Sequence, residues 1–293
     1  MTDTTASLRR KISSAGDLQS VVRTMKALAA ANIGQYENSV RALADYYRTV
    51  QLGLRVCLQG REPIHGTGPR LASGMPRAIV FGSNQGLVGQ FNEVVAEFAI
   101  QALAAAPGQY RVWAIGERVY TRLAEAGLPL VGLFAVPNSV QAITSLVREL
   151  QITSEAHRER DRNVPLWVFH NRPMSGSLFE PVRQRLLPLD ANWLKSQTDI
   201  PWPTDNLPEV VGDRMEAVRA LIREYLFISF FRACAESLAS ENASRLAAMQ
   251  RADKNISELL EQLHGSFHQL RQSGIDEELF DVISGFEALR GTG

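Results

Sequence analysis

The chain has 293 residues, of which 45% are hydrophobic and 21% charged, and its 31 basic residues balance its 31 acidic ones. These values are typical of a soluble globular chain with one or two domains, and the neutral balance does not indicate a nucleic-acid partner. No apolar run approaches the roughly 20 residues of a membrane span, and the N-terminus lacks a signal peptide's apolar region. The two cysteines, Cys57 and Cys234, are far apart and form no metal motif, so a reducing cytoplasm is the expected compartment.

The first 62 residues contain no proline, and apolar residues recur there mostly three or four positions apart. The series comprises Leu8, Ile12, Leu18, Val21, Val22, Met25, Leu28, Ala29, Ile33, Tyr36 and Val40. This spacing predicts one long helix over about 7–56. The helix is expected to begin near Thr4, Thr5 or Ser7, whose hydroxyls can accept bonds from the first free amides.

The middle of the chain alternates strand and helix signals between two segments rich in proline. Residues 59–76 are rich in glycine and proline and are interpreted as a linker, and the prolines return over 172–208. Strands are predicted at 78–81, 110–115, 130–136 and 164–170, and helices at 86–106, 117–126 and 139–160. Such repeated units predict a mostly parallel sheet with helices on both faces.

The C-terminal stretch from 209 onward is again free of proline, and it carries long apolar series. One series comprises Met249, Ala252, Ile256, Leu259 or Leu260, Leu263, Phe267 and Leu270, and similar series run from Met215 to Tyr225 and from Ile228 to Leu238. This spacing is typical of a helix that pairs with a second one in a left-handed seam. An ordinary helical bundle is the alternative.

The two proline-free ends carry opposite charge, which favours pairing them. Residues 1–56 hold 8 basic and 4 acidic side chains, a balance of +4, whereas residues 209–293 hold 9 and 14, a balance of −5. The predicted fold class is therefore α/β: a long antiparallel coiled coil of 1–58 and 209–293, with an inserted Rossmann-like α/β domain at 75–208.

The residues do not support an enzymatic site. GSNQGLVG, after the first predicted strand, resembles a phosphate cradle, but its glycine spacing matches neither common nucleotide motif, and a tight strand-to-helix turn explains it as well. His264 and His268, with Glu261 nearby, lack an evident third strong metal ligand. No G-x-S-x-G pattern occurs. We therefore expect no catalytic, cofactor or metal site.

Five segments, in order along the chain, resemble the gamma subunit of F-type ATP synthases. They are RKISSAGDLQSVVRTMKALAAANI at 10–33, GSNQGLVGQFN at 82–92, FEPVRQRLLPL at 179–189, ESLASENASRLAAMQRADKNISELLEQL at 236–263 and RQSGIDEELFDVISGFEAL at 271–289. The resemblance implies a non-catalytic rotor shaft that couples a rotating membrane ring to nucleotide chemistry. The implied partners are the alpha and beta subunits, the epsilon subunit and the membrane c-ring, on the cytoplasmic face of a bacterial plasma membrane.

The resemblance also implies rotor–stator contacts at Met25, Glu241, Arg245, Gln272 and Glu278. Arg245 matches an arginine that contacts a catch loop of the beta subunit, with Gln272 and Glu278 nearby. From the residues alone, Arg245 and Glu241 are four apart and can form a surface pair along one helix. Met25 is equally well interpreted as a coiled-coil core residue.

Departures from the family pattern indicate a divergent branch. One is in ALAAANIGQ at 27–35, which lacks the lysine and arginine that usually follow the paired alanines in the family. Val88 stands where the family usually has cysteine, and Gln90 stands where it has a second glycine. Such a branch resembles the alternative F-type ATPases thought to move sodium. The other functional interpretations are a Rossmann-type nucleotide-binding enzyme with helical extensions, which ligand binding would reveal, and a coiled-coil scaffold unrelated to ATPases.

Overall fold

The structure is a computed structural model that describes residues 4–58, 75–105, 108–156, 164–174, 177–189, 191–197, 201–206 and 208–290. The elements in chain order are α1 (Thr5–Ala42), α2 (Ala44–Leu58), β1 (Arg77–Phe81), α3 (Phe91–Ala104), β2 (Arg111–Ile115), α4 (Glu117–Glu125), β3 (Leu130–Phe134), α5 (Val140–Ala156), β4 (Leu166–Met174), β5 (Ser177–Leu187), α6 (Ala191–Ser196) and α7 (Arg214–Arg290). The chain divides into two compact units, one of residues 29–245 and one of residues 1–28 with 246–293.

The unit 29–245 contains a five-stranded sheet in the order β3-β2-β1-β4-β5. The pairs among β1, β2, β3 and β4 are parallel, and β5 runs antiparallel to β4. The four predicted strands are confirmed, whereas β5 was not predicted because the prolines of 172–208 suggested a loop. Pro181 lies opposite Asn171 on an edge strand, where a residue without an amide proton is tolerated.

Both faces of the sheet are covered, which explains the uninterrupted apolar run from Ala78 to Phe81 in β1. Ala78 and Val80 face a cluster that includes residues of α3 and α4, whereas Ile79 and Phe81 face the opposite cluster with residues of α2, α5 and α7. Buried strands of this kind show continuous apolar runs rather than alternation.

The prediction of one N-terminal helix over 7–56 is wrong, because the helix breaks at Leu43. The amide of Leu43 donates to Val40 O at 3.3 Å, three residues back, and the amide of Tyr47 then donates to Leu43 O at 2.9 Å. The Leu43 side chain packs on the core, so the break orients α2 against the sheet layer. The predicted start is confirmed: Thr4 and Ser7 exchange side-chain-to-amide hydrogen bonds of 3.1 and 3.2 Å, as in a capping box.

The unit of 1–28 with 246–293 is an antiparallel helix pair, as predicted. Gln19 Nε2 donates to Ser257 Oγ at 2.8 Å, and the Arg9 guanidinium lies 5.8 Å from the Phe267 ring centre. The partner number in α7 falls as the number in α1 rises, which defines the antiparallel direction. Its apolar core is made of Ala15, Val22, Met249 and Ile256, flanked by Met25, Ala248, Ala252, Leu260 and Leu263.

The buried positions of α1 follow a stricter repeat than the predicted series. Leu8, Ala15 and Val22 are buried at intervals of seven, as are Ala29 and Tyr36 in the other unit. Leu18, Val21 and Leu28, which the series included, are more than half exposed. A seven-residue interval keeps one side of a helix against its partner, so the intervening apolar residues face outward.

Helix α7 begins at Arg214, five residues after the predicted start. Asp213 caps it, since its Oδ1 accepts the Met215 amide at 2.8 Å and its carbonyl accepts the Ala217 amide at 3.0 Å. Gly212 precedes the cap at φ +85°, a conformation that favours glycine. The predicted linker 59–76 lies outside the described residues except for its last two.

Candidate functional site

A segment of α7 fills the carboxyl edge of the sheet in the unit 29–245. Every residue from 233 to 242 is buried, although half of them are polar or charged. The Ser240 hydroxyl donates at 3.1 Å to the carbonyl of Asn171, which lies in β4 just beyond its pairing with β1. The Ser244 hydroxyl donates to Val88 O after β1. In open α/β sheets ligands bind outside the ends of such strands, where the strand order reverses. Here this position holds protein groups.

The GSNQGLVG segment is a turn held by its own side chains. The Ser83 amide donates to Asn92 Oδ1 at 2.9 Å, Asn92 Nδ2 donates back to Ser83 Oγ at 2.8 Å, and the Ser83 hydroxyl donates to Gln85 O. A Cβ on Gly82 would lie 2.4 Å from Val119 Cβ. The predicted helix start at 86 is wrong, because the turn continues to Phe91. These contacts are those of a tight strand-to-helix turn.

A charged cluster with a buried carboxylate and a buried imidazole joins β4 to α7, and no local pattern in the sequence marks it. Glu236 Oε2 lies 2.8 Å from His170 Nε2, and Glu236 Oε1 accepts from Arg232 Nε at 2.7 Å. Arg172 Nε lies 3.8 Å from the same carboxylate. Burial alone would raise the pKa of Glu236, but the hydrogen bonds from His170 and Arg232 outweigh it and hold the pKa below its usual value. Burial lowers the pKa of His170.

Arg245 and Glu241 form the expected pair, but the expectation of a surface position is wrong. Arg245 Nη2 donates to Glu241 Oε1 at 2.6 Å, and the two side chains are 13% and 8% exposed. Glu241 Oε2 has no hydrogen-bond partner among the described residues. Burial raises the pKa of Glu241, and Arg245 offsets part of that rise. Of the small residues around the pair, Ala239, Ser240 and Ser244 are buried in the same unit rather than lining an open surface.

The remaining predicted contact residues lie in the other unit. Met25 is half-buried and flanks the cluster of Ala15, Val22, Met249 and Ile256, as a coiled-coil residue does. Gln272 and Glu278 are exposed, as is every side chain from 271 to 283. That stretch carries five exposed large hydrophobic residues, namely Ile275, Leu279, Phe280, Val282 and Ile283. We call residues 271–283 the exposed apolar segment.

Within the described ranges, no group of three or more histidine, cysteine or acidic side chains is placed to hold a metal ion. His264 and His268 are exposed on α7. Of the helices that the structure describes, none combines the length and apolar character needed to cross a membrane.

The family model described as ATP synthase matches residues 4–289. The chain belongs to the ATP synthase gamma family. It is 26% identical to the ATP synthase gamma chain of Cyanothece sp. and 26% identical to that of Sulfurovum sp.. Each alignment covers 97% of this chain and 98% of the relative. A chain in the solved structure of the Euglena gracilis mitochondrial ATP synthase, OSCP/F1/c-ring, rotational state 3, has a similar fold. The TM-score is 0.63 at 14% identity, and the match covers 97% of this chain and 94% of that one.

Proposed function

We propose that this gamma-family chain is the rotating, non-catalytic shaft of a bacterial F-type ATP synthase. The observation that carries the proposal is the exposed apolar segment at the end of α7. Large hydrophobic side chains that stay exposed together mark a contact with another molecule. The alpha and beta subunits of the catalytic head are the proposed partners there, and the epsilon subunit and the membrane c-ring are the proposed partners of the α/β domain.

The proposed mechanism is differential contact. An asymmetric shaft presents different faces to successive beta subunits. The face that contacts a beta subunit biases the affinity of that subunit's site for nucleotide. Torque from the ring would enter through the Rossmann-like domain, 75–208, and reach the head through the shaft, 1–58 and 209–293. Met25, Glu241, Arg245, Gln272 and Glu278 are the proposed rotor–stator contacts. The filled carboxyl edge of the sheet supports a domain that transmits force rather than one that binds nucleotide.

We propose that the chain acts at the cytoplasmic face of the plasma membrane, bound through its partners. The relatives named above are bacterial gamma chains, and their low identity supports a divergent branch. The identity of the transported ion resides in the membrane ring rather than in this chain.

The decisive experiment is single-molecule rotation of the chain in a complex with its alpha and beta subunits. Cys57 and Cys234 are buried, so Ile152→Cys, at a position 69% exposed on α5, gives a selective attachment site for a bead. We expect stepwise, unidirectional rotation when ATP is added. ATP hydrolysis without rotation, or failure of the chain to purify with alpha and beta subunits, would contradict the proposal.

The contribution of the exposed apolar segment is tested by Leu279→Ser combined with Phe280→Ser. Both side chains are more than half exposed, so folding of the chain should be unaffected. We expect weaker association with the head and reduced rotation. Ile152→Ser, which removes an equally exposed hydrophobic residue elsewhere, is the matched control.

The isolated chain is expected to aggregate or to fray, because its exposed apolar residues lack their partners. Co-expression with alpha and beta subunits should restore a soluble, homogeneous preparation. A monodisperse isolated chain that unfolds cooperatively at high temperature would favour a self-contained protein instead.

A further inference from the structure

The charged cluster around Glu236 is not used by the proposed function. Its residues come from two elements: His170 and Arg172 from β4, and Arg232 and Glu236 from α7. The Glu236 carboxylate accepts from His170 at 2.8 Å and from Arg232 at 2.7 Å, so it ties the middle of β4 to the helix. The Glu236 and His170 side chains are 9% and 3% exposed, whereas those of Arg172 and Arg232 are about half exposed.

The geometry leaves room for only one proton on His170. Its Nε2 hydrogen-bonds Glu236, whereas its buried Nδ1 has no hydrogen-bond partner among the described residues. A neutral imidazole can donate from Nε2 and leave Nδ1 as an acceptor, but an imidazolium donates from both nitrogens. A second proton would therefore create a buried donor without an acceptor, which is costly.

The surrounding charges also disfavour a second proton on His170. Arg172 and Arg232 already place two guanidinium groups beside the single Glu236 carboxylate. The β5 residue opposite His170 is the uncharged Val182, and the acidic Glu180 of the same strand lies opposite Arg172. Tyr47 of α2 interacts electrostatically with Arg232. An imidazolium would be a third cation beside the Glu236 carboxylate. Burial lowers the pKa of His170, and the bond to Glu236 offsets only part of this effect.

We propose that His170, Arg172, Arg232 and Glu236 form an acid-sensitive latch between β4 and α7. The latch is closed while His170 is neutral, and protonation of His170 opens it. Its effect on torque rests on the proposed rotor function, because the α/β domain must grip α7 to turn it. The acid-sensitive contact itself does not rest on that function.

The size and pH range of the effect follow from proton linkage. In the open latch His170 is solvated and titrates near its ordinary pKa of about 6.5, whereas in the closed latch burial lowers its pKa. The opening equilibrium is therefore constant well above that pH and rises by up to about tenfold per pH unit below it. Glu236, with its pKa held low, contributes only in more acidic solution.

The test is hydrogen exchange of the assembled complex at pH 7.5 and pH 5.5, corrected for the intrinsic pH dependence of exchange. The peptides to follow contain the middle of β4 and residues 233–242 of α7. We expect protection there to fall about tenfold in the wild-type complex between these two pH values. Protection that does not change in the wild type would overturn the proposal without any variant.

Two variants separate His170 from other acid effects. His170→Gln keeps a side-chain donor for Glu236 but cannot titrate, so its protection should be the same at both pH values. Glu236→Gln removes the anion, so protection should be lower at pH 7.5 and should still fall in acid. Glu258→Gln removes an exposed carboxylate of α7, 3.8 Å from Lys254, and should retain the wild-type pH response.

The outcome that overturns the latch is an acid response in His170→Gln equal to that of the wild type. If exchange follows the expectation, rotation torque at pH 5.5 should be higher in His170→Gln than in the wild type. The exchange result stands by itself if the complex does not rotate, so failure of the rotor proposal and failure of the latch give different results.

Discussion

Two stretches of α7 share one backbone conformation and have opposite surroundings. Residues 233–242 are half polar or charged and entirely buried, whereas the exposed apolar segment, 271–283, presents five large hydrophobic side chains to solvent. In the buried stretch, Glu236 and Ser240 find hydrogen-bond partners on β4. The exposed segment has apolar surface and no cover within the described residues.

This inversion separates two functions of a single helix. Polar groups are stable inside a protein when their hydrogen bonds are satisfied, so the buried stretch can fix the α/β domain to α7 with defined geometry. Exposed apolar groups contribute favourable free energy only when another molecule covers them and removes them from water. The first stretch therefore stabilises this chain, and the second is suited to a partner.

The same substitution in the two environments gives the largest expected difference. Phe230 is 0% exposed and packs in the main core, whereas Phe280 is 69% exposed. We expect Phe230→Ala to lower the free energy of unfolding by about 3–5 kcal/mol. Phe280→Ala should change it by less than about 0.5 kcal/mol. Pulse proteolysis of the dilute chain in urea measures both values.

Assembly with alpha and beta subunits should reverse the order of sensitivity. Phe280→Ala should weaken association with the head although the chain is stable. Equal losses of stability in the two variants would show that the exposed apolar segment is packed in solution, and the comparison would then fail.

Local patterns in the sequence predicted most of the fold. The apolar spacing predicted the helical ends, because a helix presents a regular stripe whatever covers it, and the opposite charge balances favoured pairing them. The strand runs were found because a sheet buried on both faces leaves continuous apolar segments. Thr4 and Ser7 located the first helix end, because capping depends on neighbours in sequence.

What the sequence did not predict depends on distant contacts. The break at Leu43 and the edge strand β5 are set by packing against the core and by pairing with β4. The pairing of His170 with Glu236 spans 66 positions, and no local pattern marks either residue. The burial of Glu241 and Arg245 was missed for a similar reason, since small flanking residues fit equally well against another subunit or against the chain's own sheet.

Arg245→Ala should have an intermediate effect on the free energy of unfolding, and it tests how much the buried pair of Arg245 and Glu241 contributes to stability. The substitution leaves Glu241 buried without its hydrogen-bonded cation, at an expected cost of about 2 kcal/mol in the free energy of unfolding. Burial already raises the pKa of Glu241, so the unpaired carboxyl gains stability by binding a proton as pH falls. The loss should therefore be larger at pH 8 than at pH 5. Exposed Arg219→Ala is the control.

A double variant separates stability from rotor contact. Arg245→Ala with Glu241→Gln removes the guanidinium without leaving a buried charge, so most of the stability should return. Steady-state ATP hydrolysis by the reconstituted complex should stay low if Arg245 also contacts the beta subunit, and Arg245→Lys should restore it only in part. Wild-type turnover in the double variant would limit Arg245 to pairing with Glu241.

The smallest effect is expected at Asp253, in the unit of 1–28 with 246–293. Its carboxylate lies 2.7 Å from Lys26 Nζ and 3.3 Å from Arg23 Nε, so it links α7 to α1 by two ion pairs. The hydrogen bond from Lys26 is the main cause that lowers the pKa of Asp253. Its contribution is present at neutral pH and is lost as pH falls through the lowered pKa.

Asp253→Asn should destabilise the helix pair slightly at low salt. The amide oxygen of asparagine can still accept hydrogen bonds from Lys26 and Arg23, but the charge attraction is lost. The difference from wild type should shrink at about 0.5 M salt, where exposed charges are screened over a few ångströms. Glu258→Gln, which breaks the longer exposed pair with Lys254, should have no measurable effect at either salt concentration. Pulse proteolysis of the three chains at both concentrations makes the comparison. If the Asp253→Asn loss of stability were independent of salt, the carboxylate would act through packing in the helix pair. Ion pairs would then contribute less to the stability of this unit than its apolar core of Ala15, Val22, Met249 and Ile256.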